Sequence, residues 1–98
     1  KKLKCDLNLI KKALMGGFAN SKILDLHGER MINSDYEPGF KAGLHLKDLN
    51  IAVNLSDKIG LNLKSAKYSR KLMKIANQNN YQDKDSSIIN KIITKNKQ

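Results

Sequence analysis

The sequence predicts an all-α fold, a single helical domain of about five helices. Apolar residues recur at three- and four-residue intervals along most of the 98 residues, which is the period of amphipathic helices. No convincing run of β-branched residues predicts a strand. A chain of this length has room for one domain at most, and such a domain buries proportionally less of its surface than a larger one. We therefore expect it to pack against another domain or subunit.

The first two predicted helices are each preceded by a residue that caps helices well. Asp6 is a good N-cap for the first helix, and the Gly16-Gly17 pair ends it. Ser21 is the candidate N-cap of the next helical run. Gly28 is expected to interrupt that run, so the sequence predicts only a short second helix before the break.

The longest apolar-periodic segment, from Phe40 to Gly60, is predicted to form the central helix. Pro38-Gly39 before it and Gly60 at its end are start and stop signals, and the polar stretch from Asn33 is an extended connector. At about 100° per residue the segment has two nearly opposite apolar faces. The first consists of Leu44, Ile51, Ala52, Leu55 and Ile59, and the second of Leu46, Leu49 and Val53. Such a helix is packed on two sides.

Lys47 and Asp48 are adjacent in sequence but are predicted to have different surroundings. Lys47 lies on a polar arc between the two apolar faces, whereas Asp48 falls inside the first face. Because adjacent residues on a helix do not face each other, we expect Lys47 to point to a cleft and Asp48 to point into the packing. An unpaired buried charge is costly, so Asp48 is expected to be a buried, hydrogen-bonded carboxylate.

Two more helices are expected after Gly60. Ser65 is the candidate N-cap of the first, and the polar stretch from Asn77 to Lys84 is predicted to be a loop. Asp85 is the candidate N-cap of the last helix. Its apolar stripe, which closes the core, consists of Ile88, Ile89, Ile92 and Ile93.

The net charge of +10, from 19 Lys and Arg against 9 Asp and Glu, raises nucleic acid or an anionic membrane as possible partners. Only Arg30 and Arg70 are arginines, the side chain suited to bidentate phosphate or guanine contacts. The lysines are spread over the whole chain, as in a compositional bias. We therefore expect neither a nucleic-acid partner nor a membrane partner.

Cysteine and histidine usage indicates an intracellular protein without a metal site. Cys5 is the only cysteine, so no internal disulfide can form, and nothing resembles a signal peptide or a membrane span. We expect a cytoplasmic location. No second histidine, cysteine or carboxylate lies at metal-ligand spacing from His27, so no bound metal is expected.

The central segment carries a spaced signature, F-x-x-x-L-x-x-K-D-L-x-x-A, that resembles the C-terminal helical domain of the β-hydroxyacid dehydrogenases. The matching residues are Phe40, Leu44, Lys47, Asp48, Leu49 and Ala52. Further matches are GGFANSKIL (residues 16–24) and Arg30-Met31 followed by Pro38-Gly39-Phe40. His45 inside LHLKDL makes the chain most similar to the tartronate semialdehyde reductase branch. The resemblance covers most of the chain and is weakest beyond Asn80.

This resemblance implies an oxidoreductase that uses NAD or NADP to interconvert a small 3-hydroxy acid and its semialdehyde, with a leaning towards 2-hydroxy-3-oxopropionate, which is tartronate semialdehyde. In the family, hydride passes between the nicotinamide and the hydroxyl-bearing carbon, and a lysine acts as general acid or base. The resemblance places that lysine upstream of this chain, in a K-x-x-x-N motif on a long interdomain helix, and the sequence contains no G-x-G-x-x-G turn. Residues 1–98 are thus expected to be a 6-phosphogluconate dehydrogenase-like C-terminal domain. Its N-terminal Rossmann domain, which binds most of the cofactor, is expected to be absent, and the isolated chain to be inactive.

The resemblance also assigns roles to three residues. Lys47 matches the family's cofactor-contacting lysine, Phe40 matches an aromatic residue that lines the active-site cleft, and Asp48 fits a supporting role. No catalytic residue is expected within the chain. Because this domain builds the subunit interface in the family, the implied partners are the Rossmann domain, a small-molecule substrate and further copies in a dimer or tetramer.

Other interpretations of the same residues stay open at this point. Lys47 also fits a solvated lysine on a polar arc, and Phe40 fits an aromatic packing anchor. GGFANS is either a plain helix-helix connection or a loop whose backbone approaches a substrate carboxylate. For the whole chain the rival functions are a basic helical module that binds nucleic acid and a purely structural dimerisation module.

Overall fold

The computed structural model describes residues 3–95, and within that range it contains five α-helices and no strand, which confirms the all-α prediction. The helices are α1 (Leu7–Met15), α2 (Lys22–Asn33), α3 (Ala42–Lys58), α4 (Lys64–Gln78) and α5 (Ile89–Lys95), with a 3₁₀ turn (Ser86–Ile88) directly before α5. They form two compact units. The first contains α1 and α2 and ends at Asp35, and the second begins at Tyr36.

The first unit has no buried core. No residue of α1 or α2 is fully buried, and the contact between the helices includes Lys11 Nζ, which lies 2.7 Å from Glu29 Oε2 and 3.3 Å from Asp25 Oδ1. Hydrogen bonds lower the pKa of Glu29, with the bond from Lys11 having the larger effect and the bond from Asn33 the smaller. The Lys11 side chain is only 17% exposed whereas its two carboxylate partners are about half exposed, so this pairing links α1 to α2 at the edge of the solvent.

The predicted caps of the first unit are confirmed. The Asp6 carboxylate accepts hydrogen bonds from backbone N–H groups in the first turn of α1, and Gly16 is the C-cap of that helix. Ser21 Oγ accepts a hydrogen bond from the N–H of Leu24 at 2.9 Å. These bonds satisfy N–H groups that the first turn of a helix otherwise leaves without partners.

The prediction that Gly28 interrupts the second helix is wrong, because α2 continues through it to Asn33. A glycine costs a helix roughly 1 kcal/mol relative to alanine, which weakens the helix without ending it. A Cβ at this position would lie 3.6 Å from Leu24 Cδ1 and 3.7 Å from Lys11 Cδ. Gly28 therefore lies on the side of α2 that faces α1.

The second unit contains the hydrophobic core. α3 packs on α4, α5 also packs on α4, and the 3₁₀ turn contacts α3. The buried apolar cluster consists of Tyr36, Ala42, Leu72, Met73, Ala76, Ile88 and Ile92, with Leu46, Leu49, Ile75, Tyr81 and Ile89 partly buried against it. The predicted isoleucine stripe is thus confirmed in the core at Ile88 and Ile92, whereas Ile93 is exposed.

The central helix begins later than predicted. α3 starts at Ala42 with Lys41 at the N-cap, so Phe40 lies in the connector just before the helix. The Lys41 side chain makes no capping hydrogen bond. The first N–H groups of α3 instead donate hydrogen bonds to backbone carbonyls of the loop that precedes the 3₁₀ turn.

The predicted stop of α3 at Gly60 is confirmed by its hydrogen bonds. The N–H of Leu61 bonds to the carbonyl of Ser56 at 2.8 Å, and the N–H of Gly60 bonds to the carbonyl of Asp57 at 3.2 Å. This pair of bonds is a Schellman motif. Gly60 has a φ of 75°, a left-handed conformation that glycine adopts without the steric cost of a Cβ.

One of the two predicted apolar faces of α3 is buried and the other is not. Val53 is fully buried, and Leu46 and Leu49 pack partly buried towards the core. The opposite side, called here the outer face of α3, consists of Leu44, Ile51, Ala52, Leu55 and Ile59. Its large side chains are between 45% and 63% exposed. The periodicity therefore identifies both faces correctly, but among residues 3–95 only one of them is buried by packing.

The last two helices differ from prediction at their starts. α4 begins at Lys64, with Leu63 at the N-cap and no side-chain capping bond, so Ser65 lies within the first turn and does not cap it. It continues to Gln78, past the predicted start of the loop. Asp85 is an N-cap as predicted, but it caps the 3₁₀ turn that leads into α5.

None of the helices in the described part of the chain combines the length and apolarity that a bilayer span requires. The longest, α3, has 17 residues and carries Lys47 and Asp48 near its middle.

Candidate functional site

Lys47 and Asp48 lie on the solvent side of α3. Their side chains are 62% and 53% exposed, and Lys47 Nζ lies 3.2 Å from Asp48 Oδ1. An exposed ion pair of this kind is worth about 0 to 1 kcal/mol. Lys47 can therefore exchange Asp48 for an incoming anionic or polar group at little cost, which a ligand-contacting role requires.

The prediction that Asp48 is a buried carboxylate is wrong. It rests on the position of Asp48 within the apolar face that includes Leu44 and Ile51, and that face is exposed in this chain. The carboxylate is therefore hydrated. It also pairs with Lys47, so the two side chains do not point into different surroundings. Periodicity identifies an apolar face but does not reveal whether a partner covers it.

Phe40 lies one residue before the N-cap of α3 and is 41% exposed. Its ring packs on the imidazole of His45 in the first turns of the helix, with ring centroids 5.9 Å apart and planes inclined at 47°. Tilted arrangements of this kind are favourable for aromatic pairs. Phe40 thus has one packed side and an accessible remainder, which suits a residue that lines a cleft.

Asp85 fixes the backbone at Phe40 from a distant part of the chain. Its Oδ2 accepts hydrogen bonds from the N–H of Gly39 at 3.0 Å and from the N–H of Phe40 at 3.1 Å. Its Oδ1 accepts a bond from the N–H of Ser87 at 2.9 Å. We call the two bonds to Gly39 and Phe40 the Asp85 clasp.

Backbone hydrogen bonds surround the Asp85 clasp and extend into the first turn of α3. They run from Asp85 to Tyr36, from Ser86 to Phe40, from Ala42 to Lys84 and from Gly43 to Gln82, at 2.8 to 2.9 Å. A Cβ on Gly43 would lie 3.2 Å from the carbonyl oxygen of Gln82, so this close approach favours glycine. The loop before α5 therefore takes the place of a side-chain cap at the start of α3.

The Asp85 carboxyl group is buried, with 1% of the residue exposed. Burial by itself raises a carboxyl pKa, because it disfavours the charged form. Hydrogen bonds from Ser87, Phe40 and Gly39 outweigh burial and lower the pKa of Asp85 from its ordinary 3.8 to about 2. At neutral pH the group is a buried carboxylate stabilised by N–H donors.

Asp85 is predictable from the sequence as a helix cap, but its bonds to Gly39 and Phe40 are not. The bonds to Gly39 and Phe40 join residues 46 and 45 positions apart, and local periodicity carries no information about such pairs. The available signal is the Asp85-Ser86-Ser87 run, in which a carboxylate commonly bonds a nearby N–H. That signal accounts for the bond from Ser87 only.

The folded chain also groups cations that look scattered in the sequence. Lys67, Arg70, Lys71 and Lys74 recur at helical spacing on α4 and, with Ile75 and Gln78, line a surface depression of about 290 Å³. We call these four cations the α4 basic cluster. Lys67 also pairs with Asp57 at 2.7 Å. The positive charge is therefore less evenly distributed than the sequence suggests.

The structure shows neither a candidate metal site among its described residues nor a substrate-binding arrangement in the first interhelical turn. Within residues 3–95, no three His, Cys, Asp or Glu side chains are grouped so that they could hold a metal ion. Residues 16–20 form the turn between α1 and α2, in which Phe18 is fully exposed. The turn has the form of a helix-helix connection, and its substrate-binding interpretation stays a prediction.

Over residues 1–93 the chain matches the family described as "NAD-binding of NADP-dependent 3-hydroxyisobutyrate dehydrogenase". The match covers nearly all of the described helices, including the segment that carries Phe40, Lys47 and Asp48. The chain therefore belongs to this family, and the resemblance to the β-hydroxyacid dehydrogenases is confirmed.

Individual relatives agree with the family. The chain is 56% identical over 54 residues to 2-hydroxy-3-oxopropionate reductase of Escherichia coli (strain K12), an alignment that covers 55% of this chain and 18% of that protein. It is 38% identical over 58 residues to the probable 3-hydroxyisobutyrate dehydrogenase-like 1, mitochondrial, of Arabidopsis thaliana, covering 59% and 17%. Both names belong to the class of oxidoreductases that the sequence predicts.

The fold agrees as well. The crystal structure of 3-hydroxyisobutyrate dehydrogenase from Salmonella typhimurium matches with a TM-score of 0.87 and 19% identity, over 93% of this chain and 32% of that one. At this identity the match shows a shared fold. The chain thus spans less than a fifth of these curated relatives and about a third of the solved neighbour.

Proposed function

We propose that residues 1–98 act as the C-terminal helical domain of an NAD(P)-dependent oxidoreductase that interconverts a small 3-hydroxy acid and its semialdehyde. The observation that carries this proposal is the family match over residues 1–93. In this proposal the Rossmann domain and the proton-transferring lysine belong to another part of the parent protein. The chain itself supplies a cofactor contact, a cleft wall and a subunit interface.

Lys47 is the proposed cofactor contact. The exposed ammonium of Lys47 and the exposed carboxylate of Asp48 support this role, because a polar group of NAD(P) can replace the carboxylate without leaving a buried charge unpaired. The cofactor, when bound, supplies or accepts the hydride. Lys47 binds and orients the cofactor through a charge-assisted hydrogen bond. Asp48 supports Lys47 by holding its ammonium at the surface of α3 until the cofactor binds.

Phe40 is the proposed cleft wall. Its ring is partly exposed beside His45, and its backbone is fixed by the Asp85 clasp, so the ring presents a fixed apolar surface next to the start of α3. An apolar wall excludes water from the reacting groups and strengthens the polar interactions inside the site.

For the substrate we propose 2-hydroxy-3-oxopropionate. The 56% identity to a protein of that reductase name supports this choice, as does His45 within LHLKDL. Which of the two nicotinamide cofactors is used depends on the residue that contacts the ribose 2′ position, and we place that residue in the Rossmann domain.

Steady-state assays of the full-length parent protein and of residues 1–98 test the proposal. We expect the full-length protein to oxidise NADH or NADPH with 2-hydroxy-3-oxopropionate at a higher kcat/KM than with the semialdehyde of 3-hydroxyisobutyrate, both measured in the direction of reduction. Residues 1–98 alone are expected neither to bind NAD(P)H tightly nor to turn over either compound. A full-length protein that turns over neither compound would contradict the proposed class of function.

A second candidate function, the binding of nucleic acid, is favoured by one observation, the α4 basic cluster. Such binding would depend on phosphate neutralisation, so the logarithm of affinity would fall linearly with the logarithm of salt concentration. Fluorescence anisotropy with a labelled oligonucleotide distinguishes the two functions. The reductase proposal predicts no saturable binding at physiological salt, whereas the rival predicts binding that weakens when Arg70 and Lys71 are changed to glutamine.

A further inference from the structure

The Asp85 clasp links a buried charge to the backbone of the proposed cleft wall. Asp85 is 1% exposed, so it has no surface on which to meet a substrate. Its Oδ2 is bonded to the N–H groups of Gly39 and Phe40, and the carbonyl of Phe40 accepts a bond from the N–H of Ser86 at 2.9 Å. The peptide groups on both sides of the Phe40 Cα are therefore fixed.

Fixing those peptide groups also limits where the Phe40 ring can lie. With the backbone dihedral angles held, the ring has only its side-chain rotamers to choose from, and contact with His45 at 5.9 Å between ring centroids favours one of them. Without the clasp, Gly39 would give the connector freedom that no side chain restricts. The ring would then sample several positions relative to the start of α3.

We propose that Asp85 is a positioning residue for the active-site cleft, which it serves by binding the N–H groups of Gly39 and Phe40 and so holding the Phe40 ring beside the start of α3. This inference rests on the proposed function, because it requires that Phe40 line the cleft. Asp85 touches neither substrate nor cofactor, and it acts only through Phe40.

Two substitutions separate the clasp from the cap that Asp85 also provides. Asparagine and serine are both good N-cap residues. The asparagine amide has one oxygen in place of two, so its NH₂ group faces either the N–H groups of Gly39 and Phe40 or that of Ser87, and Asp85→Asn cannot keep both the clasp and the cap. The serine hydroxyl can accept from the N–H of Ser87 but is too short to reach Gly39 and Phe40, so Asp85→Ser removes the clasp and retains the cap.

The matched control is Asp83→Asn. Asp83 is an exposed carboxylate two positions away that pairs with Lys41 at 2.9 Å and takes no part in the clasp. The Asp83→Asn substitution removes one negative charge from the same loop, as Asp85→Asn does. The reference variant is Phe40→Ala, which removes the ring itself. All variants are made in the full-length protein.

The measurements are kcat, the KM for 2-hydroxy-3-oxopropionate and the melting temperature. Misplacement of a contacting group by about 1 Å can cost up to a hundredfold in rate, so we expect Asp85→Ser to lower kcat/KM roughly tenfold, with a raised substrate KM, and Asp83→Asn to match the unmodified protein. The double variant of Phe40→Ala with Asp85→Ser should be little worse than Phe40→Ala alone, because both changes act through one ring.

If Asp85 served stability alone, its substitution would lower the melting temperature but leave the substrate KM unchanged. The effects of the two substitutions on the melting temperature would then add in the double variant. That pattern would overturn the inference. If Phe40→Ala itself left kcat and KM unchanged, the proposed role of Phe40 would fail, and the proposal for Asp85 would fail with it. If neither Asp85 variant folds, amide hydrogen exchange on the unmodified protein decides. Protected amides at Gly39 and Phe40 support the clasp, and exchange at the rate of an unfolded chain overturns it.

Discussion

Lys47 is a lysine on an open surface, and its role depends on which group it meets there. Its partner Asp48 is adjacent, exposed and 3.2 Å away, so the pair costs little to break. The same geometry describes a merely solvated lysine. Kinetics on the full-length protein distinguish the two roles, because only a cofactor contact couples the ammonium to cofactor binding.

We expect Lys47→Ala in the full-length protein to raise the cofactor KM roughly ten- to a hundredfold, because a charge-assisted contact is worth about 1.5 to 3 kcal/mol. The effect on kcat should be smaller, because our proposal places the proton-transferring lysine outside residues 1–98. Steady-state kinetics with varied NADH or NADPH measure both. Lys58→Ala is a matched control, because it removes an exposed lysine near the other end of α3. An unchanged cofactor KM would make Lys47 an ordinary surface lysine.

Asp48 is expected to matter little for the stability of residues 1–98. Its carboxylate is more than half exposed and pairs only across the surface of α3, and substitutions at such positions change the free energy of unfolding by less than about 0.5 kcal/mol. Urea unfolding of Asp48→Ala should therefore give a midpoint close to that of the unmodified chain. A loss of 1 to 3 kcal/mol, roughly the cost of stranding a buried polar partner, would instead restore the prediction of a buried carboxylate.

At the scale of single elements, the outer face of α3 has the composition of a core without its burial. Its large apolar residues lie on one side of a 17-residue helix, and an apolar surface of this kind is typical of a protein-protein contact. We propose that this face belongs to the interface of a homo-oligomer, a dimer or tetramer, in which it is buried.

We therefore expect residues 1–98 to associate at high micromolar concentration. Ile51→Asp and Leu55→Asp place charges on the outer face and should return the chain to a monomer, because a buried unpaired charge is costly. Ile23→Asp, at an exposed apolar residue of α2, is the control and should leave association unchanged. Sedimentation velocity provides the measurement. A clean monomer of the unmodified chain at that concentration would be evidence against the interface.

Elements whose ends are set by short-range bonds could be predicted from the sequence. The caps at Asp6 and Ser21 and the stop at Gly60 each involve partners no more than five residues away. The start of α3 could not, because distant backbone carbonyls replace its missing cap. Ser65 is a good cap residue by type, but α4 begins at Lys64 and includes it. Residue type shows at which positions a helix can begin or end, and packing decides at which of them it does.

The site follows the same division. Phe40 and Lys47 could be named because a spaced motif carries them. The exposure of Asp48 could not be foreseen, because it depends on what covers the outer face of α3. The Asp85 clasp could not be foreseen either, since it joins two segments about half the chain apart.

For the molecule as a whole, acid stability should depend on Asp85. A carboxyl group whose pKa is lower in the folded than in the unfolded chain stabilises the fold above its unfolded pKa, and this contribution is lost as the pH falls through the folded value. With a pKa lowered from 3.8 to about 2, Asp85 contributes about 2 kcal/mol at neutral pH. The chain loses this stabilising contribution as the pH falls from 3.8 to about 2.

We therefore expect the free energy of unfolding of residues 1–98 to decrease between about pH 4 and pH 2 by more in the unmodified chain than in Asp85→Asn. The two proteins should differ most at neutral pH and converge as the pH approaches 2. Urea unfolding at a series of pH values measures this. Asp83→Asn should follow the unmodified chain, and a constant gap between Asp85→Asn and the unmodified chain would mean that the carboxylate is not the source of the difference.

The outer face of α3 also determines how mutations will be tolerated. In residues 1–98 alone, Leu44, Ile51 and Leu55 are surface residues, so a saturation screen for solubility should accept polar replacements there and even favour them. In the parent protein, where we propose that this face is buried, the same replacements should be rejected as core damage. The difference between the two tolerance maps, position by position, would outline the footprint of the surface that covers α3.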